Sequence, residues 1–364
     1  MSCFNAMVAG GFSPNERMIL SGDIGGTKAN LAIFEPLKRR LKLVCFESYL
    51  SREYANLEEI IGKFMSQCGL EVEVACFGIA GPVKQGRSET TNLAWVVDAR
   101  SLARKLRLDF VGLINDLEAN AWGIAALRPK DFFVLQKGRA DRSGNAAVIS
   151  AGTGLGEAGL CWNGHGHLPF ASEGGHCDFA PTNALQAELL GYLNAEFGHV
   201  SNERVVSGPG LHNLYRFLRD THRAEEPDWL AEQLRAGDPS AAISYLAMEG
   251  KSPLCMQALD LFVELYGAVA GNLALKFLAT AGVFLGGGIA PKIASKLQGP
   301  LFRSAFVAKG RLQPLLEAIP VKIILNDKAA LFGAAAWTWR DEIRSKLRTR
   351  ASRRNPKTTR RSRS

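Results

Sequence analysis

Apolar residues in the first third of the chain fall into short runs and one longer segment with helical spacing. The segment at residues 57–68 has apolar side chains at intervals of three and four residues, which is the spacing of one helix face. The short runs are bounded by residues that commonly end strands. The predicted strands are residues 18–20, 29–34, 41–50, 72–79 and 110–114, and further helices are predicted after residue 98 and up to residue 126. This pattern predicts the order β-β-β-α-β-α-β-α.

The same order begins again after residue 146. Residues 147–150 lead into a second glycine-rich turn, and apolar runs follow at 283–285 and 321–325. Residues 181–256 predict a largely helical insertion, and residues 329–339 a final helix. Two copies of one plan predict two similar α/β domains facing a cleft. The predicted divisions are residues 18–126 with 326–343 (the smaller domain), 127–325 (the larger domain), 1–17 (a leader) and 344–364 (a basic tail).

The formal charge of +9 comes from one end of the chain. Residues 344–364 hold ten Lys and Arg and no acid, so the remaining residues carry a formal charge of −1. The basic run contains Ser, Thr and Pro but almost no apolar residues, and such a segment cannot bury enough surface to order itself. One interpretation is a solvated tail without a catalytic role. The other is contact with an anionic partner, either nucleic acid or a membrane.

The number and spacing of the cysteines and the length of the apolar segments indicate the cellular compartment of the protein. The seven cysteines are odd in number and form no C-x-x-C pair, which favours reduced thiols over a disulfide framework and argues against structural zinc. The longest apolar stretch, residues 268–288, contains Asn272 and Lys276, so it does not predict a membrane span. Residues 1–16 lack the basic start and apolar core of a secretory signal. These features predict a cytoplasmic protein.

Three glycine-rich turns can bring backbone N–H groups close to phosphate oxygens. A single such turn is usually only a tight connection, but three in one chain, two of them with Thr, favour nucleotide binding. No Walker A loop is present, and a G-x-G-x-x-G match at residues 154–159 continues as a strand, which argues against a Rossmann site. The residues predicted to bind nucleotide are Gly22, Asp23, Ile24, Gly25, Gly26, Thr27, Gly152, Thr153, Gly154, Gly286, Gly287 and Gly288.

Two aspartates stand out by their positions. Asp23 lies in the first glycine-rich segment, where it is either a plain turn residue or a ligand of Mg²⁺, directly or through water. Asp116 follows a predicted strand. It either caps the next helix or serves as the base that accepts the proton of a sugar hydroxyl as the γ-phosphoryl group arrives. We favour the base, because a carboxylate at a strand end lies at the mouth of the predicted cleft.

The segment from Glu173 to Asp178, with His176 inside it, gathers two carboxylates and an imidazole around two glycines. A metal site is not favoured, because a second His or a Cys pair is lacking. Each sugar hydroxyl both donates and accepts hydrogen bonds, so this mixed polar set predicts sugar binding. Glu203, taken alone, is typical of a helix surface.

These motifs in this order resemble the bacterial-type glucokinase family, within the group that shares the hexokinase–actin–Hsp70 ATPase fold. The resemblance covers about residues 18–337. The matching segments are residues 22–27 and 152–156 (phosphate motifs), 113–116 (the catalytic-aspartate segment), 173–181 and 198–205 (sugar-binding signatures) and 282–289 (the adenosine motif).

The resemblance implies two actin-like or ribonuclease-H-like domains, with ATP and Mg²⁺ as cosubstrates and glucose as the acceptor. It implies that Asn115, Asp116, Glu173, His176 and Glu203 bind the sugar, with Asp116 as the general base that helps form glucose 6-phosphate and ADP. A homodimer stays open. The alternatives are a kinase of another hexose and a sugar-sensing regulator whose basic tail binds nucleic acid. An actin- or chaperone-like ATPase would have no use for the sugar-binding segment.

Overall fold

The computed structural model describes residues 18–37, 40–89 and 95–340, and this part of the chain is a mixed α/β protein. It divides into two compact units. The first unit takes the described residues up to Leu127 and from Lys328 onward, and the second is Arg128–Asp327. The predicted leader and basic tail lie outside the described residues.

The first unit contains eight described strands. They are Ile19–Ile24 (β1), Lys28–Leu37 (β2), Arg40–Leu50 (β3), Val74–Ile79 (β4), Val83–Lys84 (β5), Arg87–Glu89 (β6), Val96–Asp98 (β7) and Phe110–Asn115 (β8). The described α-helices of this unit are Leu57–Cys68 (α1), Ala99–Lys105 (α2), Asp116–Ile124 (α3) and, from the far end of the chain, Ala329–Thr338 (α12). The main sheet has the order β3-β2-β1-β4-β8, in which β1, β4 and β8 are parallel to one another.

Helices cover both faces of this sheet. On one face, Ile60 of α1 and Leu102 of α2 pack with Phe77 of β4 in one buried cluster. On the other face, Trp122 of α3 and Ala334 of α12 belong to a second buried cluster. The first unit is therefore a three-layer α/β/α structure, the arrangement in which a sheet is buried on both faces.

Local sequence explains where the helices of the first unit begin and end. The Asn56 side chain accepts the N–H of Glu59 at 3.0 Å at the start of α1, and Gly69 ends that helix in the left-handed region. Asp98 caps α2, as predicted, by accepting the N–H of Ser101 at 2.7 Å. The small sheet β5-β6-β7 was not predicted, because strands of two or three residues are too short to show an alternating pattern.

The second unit begins with strand Phe132–Gln136 (β9). Its other described strands are Ala146–Ala151 (β10), Leu155–Trp162 (β11), His167–Ser172 (β12), Gly282–Gly286 (β13) and Val321–Ile324 (β14). Its described α-helices are Ala184–Phe197 (α4), Gly208–Asp220 (α5), Asp228–Arg235 (α6), Pro239–Met248 (α7), Pro253–Phe277 (α8), Ala294–Leu297 (α9), Pro300–Val307 (α10) and Gln313–Ala318 (α11).

The sheet of the second unit has the order β12-β11-β10-β13-β14-β9. Strand β10 is antiparallel to β11 and parallel to β13, and β13 is parallel to β14. These are the relations that β1 has to β2 and β4, and that β4 has to β8, so the two sheets share one plan. Helices α4 to α8 lie between β12 and β13 in the chain, so the helical insertion predicted at residues 181–256 extends further, to Phe277.

Helix α8 lies in the core of the second unit. It is long and apolar enough to cross a membrane by length and composition, but 78% of its apolar window is buried inside the protein. The fully buried Tyr266 on this helix donates a hydrogen bond to the carbonyl oxygen of Ile149 in β10 at 3.3 Å. These contacts are those of a core helix.

A disulfide bond joins Cys45 of β3 to Cys68, the last residue of α1. The expectation that all cysteines are reduced thiols is therefore wrong for this pair. Helix α1 packs against β2 and β3, and the two Cα atoms come within 6.5 Å, inside the range that a disulfide spans. The separation of 23 residues matches no cysteine motif, so the sequence carries no signal of this pairing.

Candidate functional site

The turn between β1 and β2 is shorter than predicted. Ile24 pairs with Ala29 across the hairpin, and the Gly25 N–H donates to the Lys28 carbonyl oxygen at 2.9 Å, so the turn consists of residues 25–27. Gly22 lies inside β1, where any side chain would strike the ring of Phe77 on β4. The prediction that the turn begins at residue 22 is therefore wrong, because β1 extends to Ile24. The predicted contact of Gly22, Asp23 and Ile24 with nucleotide stays a prediction.

Asp23 also lies in β1 and is half-buried. It pairs with Asn30 across the hairpin, and the Asn30 side-chain amide donates to Asp23 Oδ2 at 3.3 Å. Removal from water raises the pKa of the Asp23 carboxyl, and the Asn30 hydrogen bond partly offsets this effect. A nearby cation would stabilise the ionised form of a carboxyl group that burial disfavours in this way.

The carboxyl ends of the parallel strands in the first unit lie at one edge of the sheet. Ile24 is in register with Ile79, and Ile79 with Asn115. The turn at residues 25–27 and the Asn115–Asp116 pair therefore lie at the ends of β1 and β8, which end level with each other on either side of β4. Ligands of open α/β sheets bind at this edge.

Asn115 caps helix α3. Its Oδ1 accepts the N–H of Leu117 at 2.9 Å and the N–H of Glu118 at 3.3 Å, while its Nδ2 donates to the Gly81 carbonyl oxygen at 3.3 Å. The half-buried Asp116 is the first residue of the helix, and its Oδ1 accepts the N–H of Leu117 at 2.8 Å. The capping role considered for Asp116 thus belongs to Asn115.

Two glycine-rich segments meet at the corresponding edge in the second unit. Ala151 pairs with Leu155, so the turn after β10 consists of residues 152–154 and is shorter than the predicted turn at residues 152–156. Gly286 ends β13 in register with Ser150, and Gly287 has a φ of 80°. A side chain at Gly287 would strike the carbonyl oxygen of Ala151, which explains why glycine is needed there.

Glu203 lies next to the second glycine turn. It sits in a short 3-10 helix, Asn202–Arg204, and its Oε2 accepts the N–H of Leu155 at 2.9 Å. A methyl group on Gly154 would lie 2.5 Å from the same oxygen. The interpretation of Glu203 as a helix-surface residue is therefore wrong, whereas the sugar-binding role that the resemblance implies for it stays a prediction.

Glu173 and His176 lie in a loop that is fastened to the segment carrying Glu203. The Asn202 N–H donates to the Cys177 carbonyl oxygen at 2.9 Å, and the Phe179 N–H donates to the Val200 carbonyl oxygen at 2.9 Å. Glu173 and His176 are themselves exposed. The second unit therefore brings all three predicted sugar-binding side chains to neighbouring segments.

Glu157 was not predicted but lies directly beneath this loop. Its side chain is buried with 3% exposure on β11, and a side chain at Gly174 would strike its carboxylate. Burial raises the pKa of the Glu157 carboxyl, and the charge of Lys276 partly opposes that rise. The only signal of Glu157 in the sequence was that a charged residue, seven positions after Ser150, interrupts an otherwise apolar strand.

Metal binding by protein side chains alone has no support in the part of the chain that the structure describes. No group of three or more His, Cys, Asp or Glu side chains there could hold a metal ion. Asp23 lies near the carboxyl edge of the first sheet. A single carboxylate can contact a Mg²⁺ ion only when the ion keeps most of its ligands from phosphate and water.

Comparisons with known proteins agree with these motifs. A family model described as Glucokinase matches residues 20–340. A glucokinase from Trichormus variabilis is 43% identical over 334 residues, which cover 87% of this chain and 98% of the relative. A solved glucokinase from an Antarctic psychrotroph is 32% identical with a TM-score of 0.78, covering 89% of this chain and 99% of that chain.

A more distant solved structure shares the fold. A ROK family glucokinase from Streptomyces griseus, solved in complex with glucose and AMPPNP, is 22% identical with a TM-score of 0.59. The match covers 88% of this chain and 98% of that chain. The actin-like α/β fold class implied by the resemblance is confirmed. The chain belongs to the glucokinase family and is an ATP-dependent sugar kinase.

Proposed function

We propose that this protein is a glucokinase, which transfers the γ-phosphoryl group of ATP to the 6-hydroxyl of glucose and releases glucose 6-phosphate and ADP. One observation carries the proposal. In the first unit, the glycine turn and the Asn115–Asp116 pair lie at the ends of β1 and β8, which end level with each other on either side of β4 at one edge of the sheet. A carboxylate and a backbone phosphate site at one sheet edge suit transfer of a phosphoryl group to a hydroxyl.

Asp116 is the proposed general base. Phosphoryl transfer needs the attacking hydroxyl to be oriented and its proton to have an acceptor as the bond to phosphorus forms. Asn115 fixes the start of α3 through its two accepted N–H groups, so the next side chain, Asp116, starts from a defined backbone position. Asn115 and Asp116 would both contact the sugar.

ATP is proposed to bind through the glycine-rich turns of both units. In the first unit these are Gly25, Gly26 and Thr27, and in the second unit the residues are Gly152, Thr153, Gly154, Gly286, Gly287 and Gly288. Asp23 would hold Mg²⁺ directly or through water, and the ion would neutralise charge on the phosphates. The solved Streptomyces griseus relative was in complex with the ATP analogue AMPPNP.

Glucose is proposed to bind Glu173, His176 and Glu203 of the second unit in addition to Asn115 and Asp116. Carboxylates accept and the imidazole can donate or accept, which matches a ring of hydroxyl groups. A site built to hydrogen-bond a given hydroxyl discriminates against sugars that lack it. The alternative acceptor is another hexose. We place the reaction in the cytoplasm, as the first phosphorylation of glucose in glycolysis, although the Cys45–Cys68 disulfide removes the argument from reduced thiols for that compartment.

A coupled assay of ADP release tests this proposal. We expect ADP formation from ATP to depend on glucose and Mg²⁺, with kcat/KM for glucose above that for mannose, fructose and N-acetylmannosamine. Equal values for all four sugars would remove the glucose assignment and leave the sugar kinase. ADP release at the same rate without any sugar would contradict the proposal.

A further inference from the structure

We propose that Ser51 is a positioning residue that holds the first glycine turn in the shape needed to bind ATP phosphates. The inference rests on the proposed function of that turn. Ser51 is not part of any glycine-rich motif, and it lies 24 residues after Thr27 in the chain. Its side chain is nevertheless completely buried.

Two hydrogen bonds join Ser51 to the turn. Its hydroxyl donates to the Gly25 carbonyl oxygen at 2.9 Å, and its backbone N–H donates to the Thr27 carbonyl oxygen at 3.0 Å. Strand β3 delivers Ser51 to this place, because Leu50, the last residue of β3, is in register with Lys28, the first residue of β2. The paired strands thus bring the residue after β3 level with the turn before β2.

The hydroxyl bond fixes the direction of a neighbouring N–H group. The carbonyl group of Gly25 and the N–H group of Gly26 belong to one planar trans peptide, so they point in opposite directions. When Ser51 binds the Gly25 carbonyl oxygen, the Gly26 N–H must point away from Ser51. The N–H groups of Gly26 and Thr27 donate to no described residue, which leaves them for a ligand.

The buried Ser51 hydroxyl therefore orients the N–H groups on the opposite side of the turn so that they can bind an anion. Backbone N–H groups held in one direction by neighbouring hydrogen bonds bind phosphate oxygens without reorganising. Without the Ser51 hydroxyl, the Gly25 carbonyl oxygen would seek another donor, and the Gly25–Gly26 peptide would be free to rotate. In the unaltered chain, Ser51 therefore affects ATP binding by fixing the shape of the turn, without touching ATP itself.

The test compares Ser51→Ala with Ser88→Ala. Ser88 is a matched control because it is a buried serine of the same unit whose hydroxyl oxygen has no hydrogen-bond partner among the described residues. For each variant and the unaltered chain, the measurements are KM for ATP, KM for glucose, kcat, melting temperature and the affinity for AMPPNP by calorimetry. Calorimetry reads nucleotide binding without relying on turnover.

We expect Ser51→Ala to raise KM for ATP and weaken AMPPNP binding by about 5- to 100-fold, the cost of leaving a buried carbonyl oxygen without its donor. KM for glucose should change less than twofold, and Ser88→Ala should behave like the unaltered chain. AMPPNP affinity within twofold of the unaltered chain, or equal losses for both substrates, would overturn the inference. If the unaltered chain binds AMPPNP but phosphorylates no sugar, the proposed function fails while the positioning test stands.

Discussion

A methyl group on Gly333 of α12 would overlap the carbonyl oxygen of Ala119 on α3. The contact is reciprocal: a methyl group on Gly123 of α3 would overlap the carbonyl oxygen of Ala329 on α12. The two helices therefore pack with their backbones in contact. Since α3 begins at Asp116, the position of that carboxylate depends on a helix more than 200 residues away in the chain.

Replacing Gly333 by alanine should force α12 away from α3. We expect a loss of about 1–3 kcal/mol in the free energy of unfolding, typical of overpacking, together with a fall in kcat as Asp116 shifts. Melting curves and steady-state kinetics measure both effects. The control is Gly62→Ala in α1, where nothing lies near the added methyl, so helix propensity alone should stabilise the protein by about 0.5–1 kcal/mol. Equal changes in stability and kcat for the two substitutions would contradict the close packing of α12 on α3.

Asp116→Asn should preserve the fold and glucose binding while reducing kcat by roughly 10²–10⁴-fold, the usual contribution of a positioned base. The amide has nearly the same shape as the carboxylate but cannot accept the hydroxyl proton. Steady-state kinetics give kcat, and calorimetry with glucose alone gives the affinity. Asn115→Ala serves as the comparison, because loss of the α3 cap should reduce stability as well. A near-normal kcat in Asp116→Asn would place the base elsewhere.

Glu157→Gln should stabilise the protein more at high pH than at low pH. The folded-state pKa of Glu157 is raised, so the native carboxyl binds its proton more readily than the unfolded chain does. Its contribution is therefore most favourable below the unfolded pKa and is lost as pH rises through the folded pKa. The variant lacks this loss, so its melting temperature should exceed that of the unaltered chain by an amount that grows as pH rises from below the ordinary pKa of glutamate to above the raised folded-state pKa.

The size of this difference depends on how far the pKa of Glu157 lies above its ordinary value. A tenfold difference in proton affinity between the folded and the unfolded chain corresponds to about 1.4 kcal/mol. For a domain of about 200 residues, the size of the unit Arg128–Asp327 that contains Glu157, 1 kcal/mol changes the melting temperature by roughly 2–4 °C. Lys276→Met should enlarge the effect, because the Lys276 charge favours the ionised carboxyl of Glu157. A melting-temperature difference that does not change with pH would rule out an ionisable Glu157 as the cause.

Reduction of the Cys45–Cys68 disulfide should lower stability by about 3 kcal/mol, the effect of opening a loop of this length in the chain-entropy account. Melting curves with and without dithiothreitol measure the difference. The double variant Cys45→Ser with Cys68→Ser should melt at the lower temperature under both conditions. Identical curves for the oxidised and reduced unaltered chain would show that the bond does not form in solution.

The sequence was a good guide to elements whose signals are local. The helical spacing at residues 57–68 and the cap at Asp98 each describe a few adjacent residues, and the structure confirms both helices. The buried strands before Asn115 and before residues 152–154 were found for the same reason, since a run of apolar side chains marks a strand buried on both faces.

Contacts between distant residues were harder to predict. Gly22 resembles a turn glycine in sequence, but its requirement comes from the ring of Phe77 on a neighbouring strand. Glu203 has an ordinary helical context, and its hydrogen bond to Leu155 exists only because two loops meet. Ser51 and the Cys45–Cys68 pair belong to the same class. Strand register and helix packing determine these contacts, and neither produces a recognisable pattern in the neighbouring sequence.

The docking of α12 on the first sheet also affects how the protein is made. Leu331 and Ala335 of α12 are buried with Ile19, Phe34 and Val74 of the first unit's strands. A ribosome that has added the last of those strands, β4, must still add about 250 residues to reach α12, which at 5–20 residues per second takes roughly 12–50 s. Throughout that time the strands have an uncovered apolar face, while the second unit already has its complete sequence before α12 emerges. The first unit can therefore complete its core only after the whole of the second unit has been synthesised.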